Sequence, residues 1–318
     1  MAKTYTTDQL IDLTRNRARL PDVAAQGSAD ADVIAALNEA LLQELVPWIM
    51  DFREEYFVTT DRTTLTANQS HVSLPTRAVG QKVRDVLFRD DATSGAVRQL
   101  THVSRKEIPD YSDQSGEPIA MYMEGNQHLV LMPANTNAGR LLDISYFRSP
   151  GDLVLLSEAR VVQSVDSATQ VTLTATAPTG WAATNTFDIH SPDSGASLRS
   201  QGLTVSVLGS NTIQFNENID GSVFGTHAVA VGDYVCLEGE AVVPGLPREL
   251  HPVLAQAAAV ILLHNEQDTE ALKNASAVLN RQLERCKTIL EERIEARPKR
   301  VHGRNSLLWK QENISGWY

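Results

Sequence analysis

The chain has 318 residues, of which 42% are hydrophobic and 21% are charged, a composition typical of a globular protein long enough for two domains. No stretch approaches the ~18–20 apolar residues of a membrane-spanning helix, and the N-terminus lacks the apolar run of a secretory signal, so the sequence predicts no membrane association. The net charge is −11, and residues 150–243 contain ten acids, two arginines and no lysine. This acidic excess argues against ordinary binding of duplex DNA.

Two helices are predicted at the N-terminus. The first covers residues 8–20, where Thr6 and Gln9 form the pattern of a capping box. The second is capped by Ser28 or Asp30, and its apolar residues recur at helical spacing from Val33 to Tyr56. We interpret this stripe as core rather than as a ligand cleft. Pro47 lies inside the second helix and is expected to kink or interrupt it.

From residue 58 the apolar period changes to two, which predicts strands. In the first part, the predicted strands are residues 70–75, 83–88, 121–124, 127–132 and 141–147. Gly125-Asn126 between two of them predicts a hairpin. The part from 152 to 240 contains short strand patterns separated by turn clusters, at residues 160–165, 170–175, 186–190, 203–208, 212–215, 227–231 and 234–237. Such spacing predicts a small barrel or sandwich.

Helices return after Pro244-Gly245-Leu246-Pro247. One is predicted over residues 248–263, and another begins after Asp268 and carries an apolar stripe from Leu272 to Leu290. Cys236 and Cys286 lie in apolar-periodic segments, which predicts buried free thiols and synthesis in a reducing cytoplasm.

The apolar stripes at both ends of the chain need partners. The sequence therefore predicts an α+β fold in which the N- and C-terminal helices pack together as a helical bundle, with β-strands and an inserted small all-β barrel or sandwich domain between them. The predicted units are residues 1–150 with 243–297 as a helical and β-stranded body, 151–242 as a β-rich insert, and 298–318 as an extended C-terminal docking arm.

Motifs of the common enzyme families do not occur: the sequence has no G-x-S-x-G, no phosphate-binding loop, no G-x-G-x-x-G and no H-E-x-x-H. Its eight histidines lack ligand spacing, and we interpret His251 and His264 as ordinary helix histidines. The acids of the insert are interpreted as a solvated face rather than as a glycosidase pair. We therefore expect no catalytic residues, no metal and no cofactor.

The C-terminal arm combines five basic residues between Arg297 and Lys310 with bulky apolar side chains that so short a segment cannot bury. Aromatic and arginine side chains are the usual anchors of protein interfaces, so the arm is predicted to dock on a partner. A solubilising tail, and a nucleic-acid role in which Trp309 stacks on a base, are the alternatives.

Four segments, taken in their order along the chain, resemble the head-to-tail adaptor proteins of tailed bacteriophages. These are also called head-completion or upper connector proteins. The segments are WIMDFREEY at 48–56, LTANQSHVSLP at 65–75, ISYFRSP at 144–150 and VPGLPRELH at 243–251. The resemblance covers residues 5–150 and 243–300, roughly two-thirds of the chain, and leaves the insert outside it.

The resemblance implies a non-enzymatic virion protein of the head–tail junction, assembled in the host bacterial cytoplasm. It implies a homo-oligomeric ring, a dodecamer, between the portal protein and the next tail component, with dsDNA passing non-specifically through the lumen. It also implies that the arm binds the portal. By position in the arm, this role falls to Arg297, Lys299, Arg300, Arg304, Leu307, Leu308, Trp309, Trp317 and Tyr318.

Other readings remain open at this point. One is a tail nozzle, tail-completion or stopper protein. Another is a carbohydrate- or receptor-binding module built on the insert, which requires exposed aromatic side chains. Trp181 is the one candidate platform, and we interpret it as a core residue. A hydrolase with unrecognised carboxylates is the third.

Overall fold

The computed structural model describes residues 4–19, 29–90, 95–104, 106–108, 116–125, 127–192, 198–219, 228–265 and 269–290. These residues form an α+β fold, as the sequence predicted, with four helices and several sheets. The helices are α1 (Thr7–Ala18), α2 (Asp30–Met50), α3 (His251–Asn265) and α4 (Thr269–Leu290). Short 3-10 turns lie at Glu54–Phe57 and Arg248–Leu250.

Helix α1 is held at its start by a distant carbonyl. The predicted capping box is wrong, since the side chain of Thr6 makes no capping hydrogen bond. Instead, the backbone N–H of Thr7 and its hydroxyl both donate to the carbonyl of Val242, at 2.8 and 2.9 Å. The N-terminus is therefore tied to the segment that opens the C-terminal part.

Helix α2 contains a wide turn before its proline. Residues Ala40–Leu45 are π-helical, and Val46–Met50 return to the α-helical pattern. Pro47 has no N–H to donate and its ring collides with the carbonyl four residues earlier, so the preceding turn widens. The expected interruption takes this form.

Helix α2 is also long and apolar enough, by length and composition alone, to cross a membrane, which the sequence analysis did not anticipate. Its apolar face, however, points into the protein. Val33, Leu37, Leu41, Leu45 and Ile49 are each at most 2% exposed. Burial within this protein accounts for the apolar composition, as in the core helix of a globular protein.

One hydrophobic cluster contains residues of all four helices, among them Leu10, Leu41, Leu254 and Leu279. Helix α3 is buried on nearly every side, because small alanines let its neighbours approach closely. The stripe of α4 faces this cluster, and both cysteines are free and buried, as predicted.

Two four-stranded sheets share a second core, to which Phe88, Leu131 and Ile144 belong. The first sheet has the order β1 (Val58–Leu65), β8 (Arg140–Arg148), β3 (Ala78–Arg89), β4 (Val97–Gln99). The second has the order β2 (Gln69–Ser73), β7 (His128–Asn135), β6 (Ala120–Glu124), β5 (Thr101–His102). Strands β6 and β7 form the predicted hairpin, with Glu124 opposite His128.

The insert contains a closed six-stranded barrel, with the order β10-β11-β14-β13-β12-β15. Its strands are β10 (Arg160–Ser167), β11 (Gln170–Leu173), β12 (Thr186–His190), β13 (Leu198–Leu208), β14 (Thr212–Phe215) and β15 (Tyr234–Leu237). The strand predicted at 227–231 is wrong over residues 228–231. Residues 228–230 have no regular structure and a turn begins at Val231; the carboxylate of Asp233 accepts a hydrogen bond from the N–H of Ala230 at 2.8 Å.

The chain enters and leaves the barrel side by side. Strands β9 (Asp152–Leu153) and β16 (Glu240–Ala241) pair in parallel, and we call this pair the neck. Gly151 lies against it so closely that a Cβ would stand 3.1 Å from the carbonyl carbon of Glu240. Only glycine fits there without displacing the partner strand.

Candidate functional site

A cavity of about 710 Å³ lies where the first sheet, the barrel and the C-terminal helices meet. Its lining contains four arginines and one carboxylate: Arg53, Arg77, Arg148, Arg248 and Glu249. We call it the arginine cavity. Arg148 also lines a second cavity of about 800 Å³ between β1 and β13, so its side chain lies between two openings on the body–barrel boundary.

Asp188 on β12 joins the barrel to the body. Its side chain is fully buried and accepts a 2.5 Å ion pair from Arg77. It also accepts the backbone N–H groups of Gly202 at 2.9 Å and Gly239 at 3.1 Å. Arg77 in turn donates to the carbonyl of Ser149 at 3.2 Å. A single carboxylate therefore holds strand β13, the turn after β15 and one arginine of the body.

Arg148, the last residue of β8, has no such compensation. Its guanidinium forms no hydrogen bond and no ion pair with any residue in the described part of the chain. Burial lowers the pKa of Arg148, and the neighbouring charge of Arg77 lowers it further. Asp188 attracts Arg148 at longer range, but its oxygens are already bonded to other groups.

His190, the last residue of β12, also lines the cavity and is 3% exposed. Neither ring nitrogen has a hydrogen-bond partner of normal geometry among the described residues. Burial lowers the pKa of His190 to about 3, and Arg148 and Arg77 add to the effect, although the backbone of Glu240 opposes it. The imidazole is therefore neutral at physiological pH.

Tyr56 adds a hydroxyl to the same cavity. Burial raises the pKa of Tyr56 to about 12, so the hydroxyl keeps its proton and can donate a hydrogen bond. Positive charge and neutral donors thus converge on one space. The parts of the chain in the structure hold no cluster of three or more His, Cys, Asp or Glu that could bind a metal ion.

The interpretation of the acidic insert as a solvated face needs a correction. Asp188 and Asp233 are buried, because each carboxylate accepts backbone N–H groups and pairs with an arginine; Asp233 lies 3.4 Å from Arg199. The acids that are exposed, as expected, are Asp152, Glu158, Asp166, Glu217 and Glu238. Asp193 and Asp220 lie outside the described residues.

Trp181 and His251, which the sequence singled out as candidates, both serve packing or hydrogen bonding within the fold. Trp181 is 8% exposed and packs edge-to-face on Phe187, with ring centroids 4.8 Å apart, so it is the core residue that we expected. His251 accepts the N–H of Tyr5 at Nδ1, at 3.2 Å, and its Nε2 lies 3.2 Å from the carbonyl of Leu246. It links the N-terminus to the start of α3.

The predicted binding residues of the arm lie outside the described part of the chain, which ends at Leu290. They are Arg297, Lys299, Arg300, Arg304, Leu307, Leu308, Trp309, Trp317 and Tyr318. The arginine cavity, by contrast, was missed by the sequence analysis. Arg148 lies in the segment ISYFRSP, but Arg77 and His190 lie in no recognised motif, and only the fold brings the three residues together.

Comparison with known proteins identifies the first half of the chain. Residues 5–161 match the family model of the SU10 adaptor protein. Over these residues the chain is similar to the SU10 adaptor family. The resemblance to phage head-to-tail adaptors is thereby confirmed over these residues, and no curated protein matches the chain.

The SU10 adaptor match covers α1, α2, both four-stranded sheets and β9, and it ends at Val161 in the first strand of the barrel. It does not reach residues 243–300, which the resemblance also included. The adaptor family is structural rather than enzymatic, and similarity to it implies a structural component of the phage virion.

Proposed function

We propose that the protein forms a ring, a dodecamer, between the portal protein and the next tail component of a tailed phage. The dsDNA passes through the lumen of this ring, which takes part in retention of the packaged genome and in its ejection. The observation that carries the proposal is the SU10 adaptor match over residues 5–161.

The shared core of the four helices supports a rigid ring subunit. Leu10 of α1, Leu41 of α2, Leu254 of α3 and Leu279 of α4 belong to one cluster, although more than 200 residues separate the first two from the last two. In this proposal the helices form a bundle, the bundle and the two sheets form the body, and the barrel is a separate inserted domain at residues 151–242.

The charge of the chain supports passage of DNA without capture. The net charge is −11, and most of the barrel's acidic side chains in the described residues are exposed. Like charges repel at short range, so a lumen lined by such acids keeps the duplex from adhering to the wall.

The C-terminal arm is the proposed portal-binding element. It lies beyond α4 in the sequence, and it has basic and aromatic side chains but no acid between residues 296 and 311. In this proposal Trp309, Trp317 and Tyr318 fill apolar pockets of the portal, while the basic residues pair with its acids. The carbohydrate-binding alternative loses its one candidate platform, because Trp181 is buried.

Electron microscopy of the protein mixed with the cognate portal tests the proposal. We expect closed twelve-fold rings stacked coaxially on the portal. The protein alone serves as the comparison, since rings are expected to form more readily on the portal template. A chain that stays monomeric with the portal present would contradict the adaptor function.

Deletion of residues 298–318 tests the arm separately. We expect portal docking to be lost while the melting temperature stays unchanged, because the helical core lies before residue 291. A matched pair of full-length variants separates apolar contacts from ionic contacts with the portal. One replaces Trp309, Trp317 and Tyr318 with alanine, and the other replaces Arg297, Arg300 and Arg304 with glutamine. Undiminished docking of the deletion variant would refute the arm's role.

A further inference from the structure

Arg148 is a half-buried cation that lines two cavities, and its guanidinium has no hydrogen-bond or ion-pair partner among the described residues. A charge removed from water needs a counter-charge or hydrogen bonds, and Arg148 has neither among the residues described. The charge of Arg77 beside it is balanced by Asp188, and that one carboxylate cannot also balance the charge of Arg148. Positive charge is left over at the centre of the site.

His190 is an independent sign that the cavity lacks a ligand. It is 3% exposed and lines the cavity, and apart from a contact with the backbone of Glu240 that lacks normal hydrogen-bond geometry, neither ring nitrogen has a partner among the described residues. Buried polar atoms in native proteins nearly always have partners, and an unpaired one calls for an explanation. A ligand in the cavity that accepts a hydrogen bond would satisfy the ring N–H.

We propose that the arginine cavity is an oxyanion-binding site, in which Arg148, His190 and Tyr56 hold a carboxylate or phosphate group. The planar guanidinium offers two parallel N–H donors that match the two oxygens of such a group. The neutral imidazole and the protonated phenol each add one donor. Arg53 and Arg248 contribute further positive charge at the wall.

The cavity, at about 710 Å³, is larger than a single ion requires and is of the size that holds small-molecule ligands or an inserted side chain. The same oxyanion chemistry therefore has two sources. It can be a free phosphate or carboxylate compound, or it can be an acidic side chain of a second copy of this chain, which carries 39 acidic residues.

The test uses the full-length protein, its Arg148→Met variant, and inorganic phosphate and citrate as probes. We expect both probes to raise the melting temperature of the wild type in a saturable manner, and calorimetry to give about one site per subunit. For Arg148→Met we expect affinity about tenfold or more weaker, as loss of a charge-assisted hydrogen bond predicts. Arg281→Met, at an exposed position of α4, serves as the matched control and should bind like the wild type.

A second readout separates a binding residue from a structural one. Without any anion, Arg148→Met should melt at a higher temperature than the wild type, because methionine removes a half-buried charge that Arg77 repels, while keeping apolar contacts. Absence of saturable binding to the wild type, equal binding by Arg148→Met, or a lower melting temperature of that variant in anion-free buffer would each overturn the proposal.

Measurements on assembled rings then identify the source of the anion. If the site takes an acidic side chain of the neighbouring copy, phosphate no longer binds once the ring has formed. If the site takes a free anion, the ring still binds about one phosphate per subunit. The binding test on unassembled subunits does not depend on ring formation, so its failure is distinguishable from failure of the proposed function.

Discussion

Asp188 carries the connection between the barrel and the body on a single side chain. Its two oxygens accept one guanidinium and two backbone N–H groups, and the carboxylate is shielded from water. Both backbone donors belong to glycines with positive φ, Gly202 at 61° and Gly239 at 88°. The chain can therefore turn toward the carboxylate at two places where other residues would be strained.

Replacement of Asp188 by asparagine should destabilise the protein strongly. The amide keeps the shape but loses the charge, and its NH₂ group faces donors, so Arg77 is left buried without a counter-ion beside Arg148. We expect the free energy of unfolding to fall by roughly 3–5 kcal/mol, as for other broken buried ion pairs. Urea denaturation measures it. Asp152→Asn, at an exposed site of the neck, is the control and should change little.

Two buried histidines make the protein sensitive to acid. Burial lowers the pKa of His190 to about 3 and that of His251 to about 4. In the unfolded chain both take up a proton below about pH 6.5. Protons therefore favour the unfolded state below that pH, and the stability that is present above it is lost as the pH falls toward the folded pKa.

For His190→Phe we expect a weaker dependence of stability on pH between about 6.5 and 4. Each histidine contributes a slope of about 1.4 kcal/mol per pH unit in this window, and the variant lacks one of them. Urea denaturation at several pH values measures the slope. His128→Gln, at an exposed position, should behave as the wild type. An identical slope for His190→Phe would show that His190 is protonated in the folded protein.

At the level of elements, α3 is the centre of the helical part. Ala255, Ala257, Ala258 and Ala259 are each fully buried, since their small side chains let α1, α2 and α4 pack closely around α3. Alanine here is a packing requirement, because a larger side chain has no free volume to occupy.

Ala257→Leu should therefore lower the melting temperature. The added atoms must displace neighbouring side chains or the helix itself, which costs typically about 1–3 kcal/mol of unfolding free energy. Ala31→Leu is a matched control, because Ala31 lies exposed in the first turn of α2. If both variants melt like the wild type, the core around α3 is looser than the structure indicates.

The elements also show what the sequence could predict. Helices and strands with long, clean periodicity appear where expected, such as β12 at Thr186–His190 and the stripe of α4. Pro47 predicted that the second helix would be kinked or interrupted, but a proline does not specify the geometry of the disruption. The π-helical turn at Ala40–Leu45 could therefore not be predicted. The predicted capping box does not form, and the start of α1 is held instead by the bonds of Thr7 to the carbonyl of Val242, a residue too distant in sequence for a local pattern to indicate.

At the scale of the whole molecule, the arginine cavity depends on contacts between separate parts of the chain. Arg77 directly precedes β3, Arg148 ends β8, and His190 ends β12, so three different strands bring two arginines and a neutral histidine together. Segments quoted for the resemblance contain Arg148 and other residues of the cavity, but no local pattern predicts that they share one site. The sequence could predict the acidic excess of the insert, but it could not show that Asp188 is buried and pairs with Arg77 rather than facing solvent.

The neck has a consequence for how this protein can change over time. Because Gly151 and Glu240 lie side by side, the barrel begins and ends at one point of the body. Removing or replacing everything between them leaves two chain ends that a very short linker can rejoin. Recombination can therefore exchange the barrel for another module, while the body is inherited unaltered.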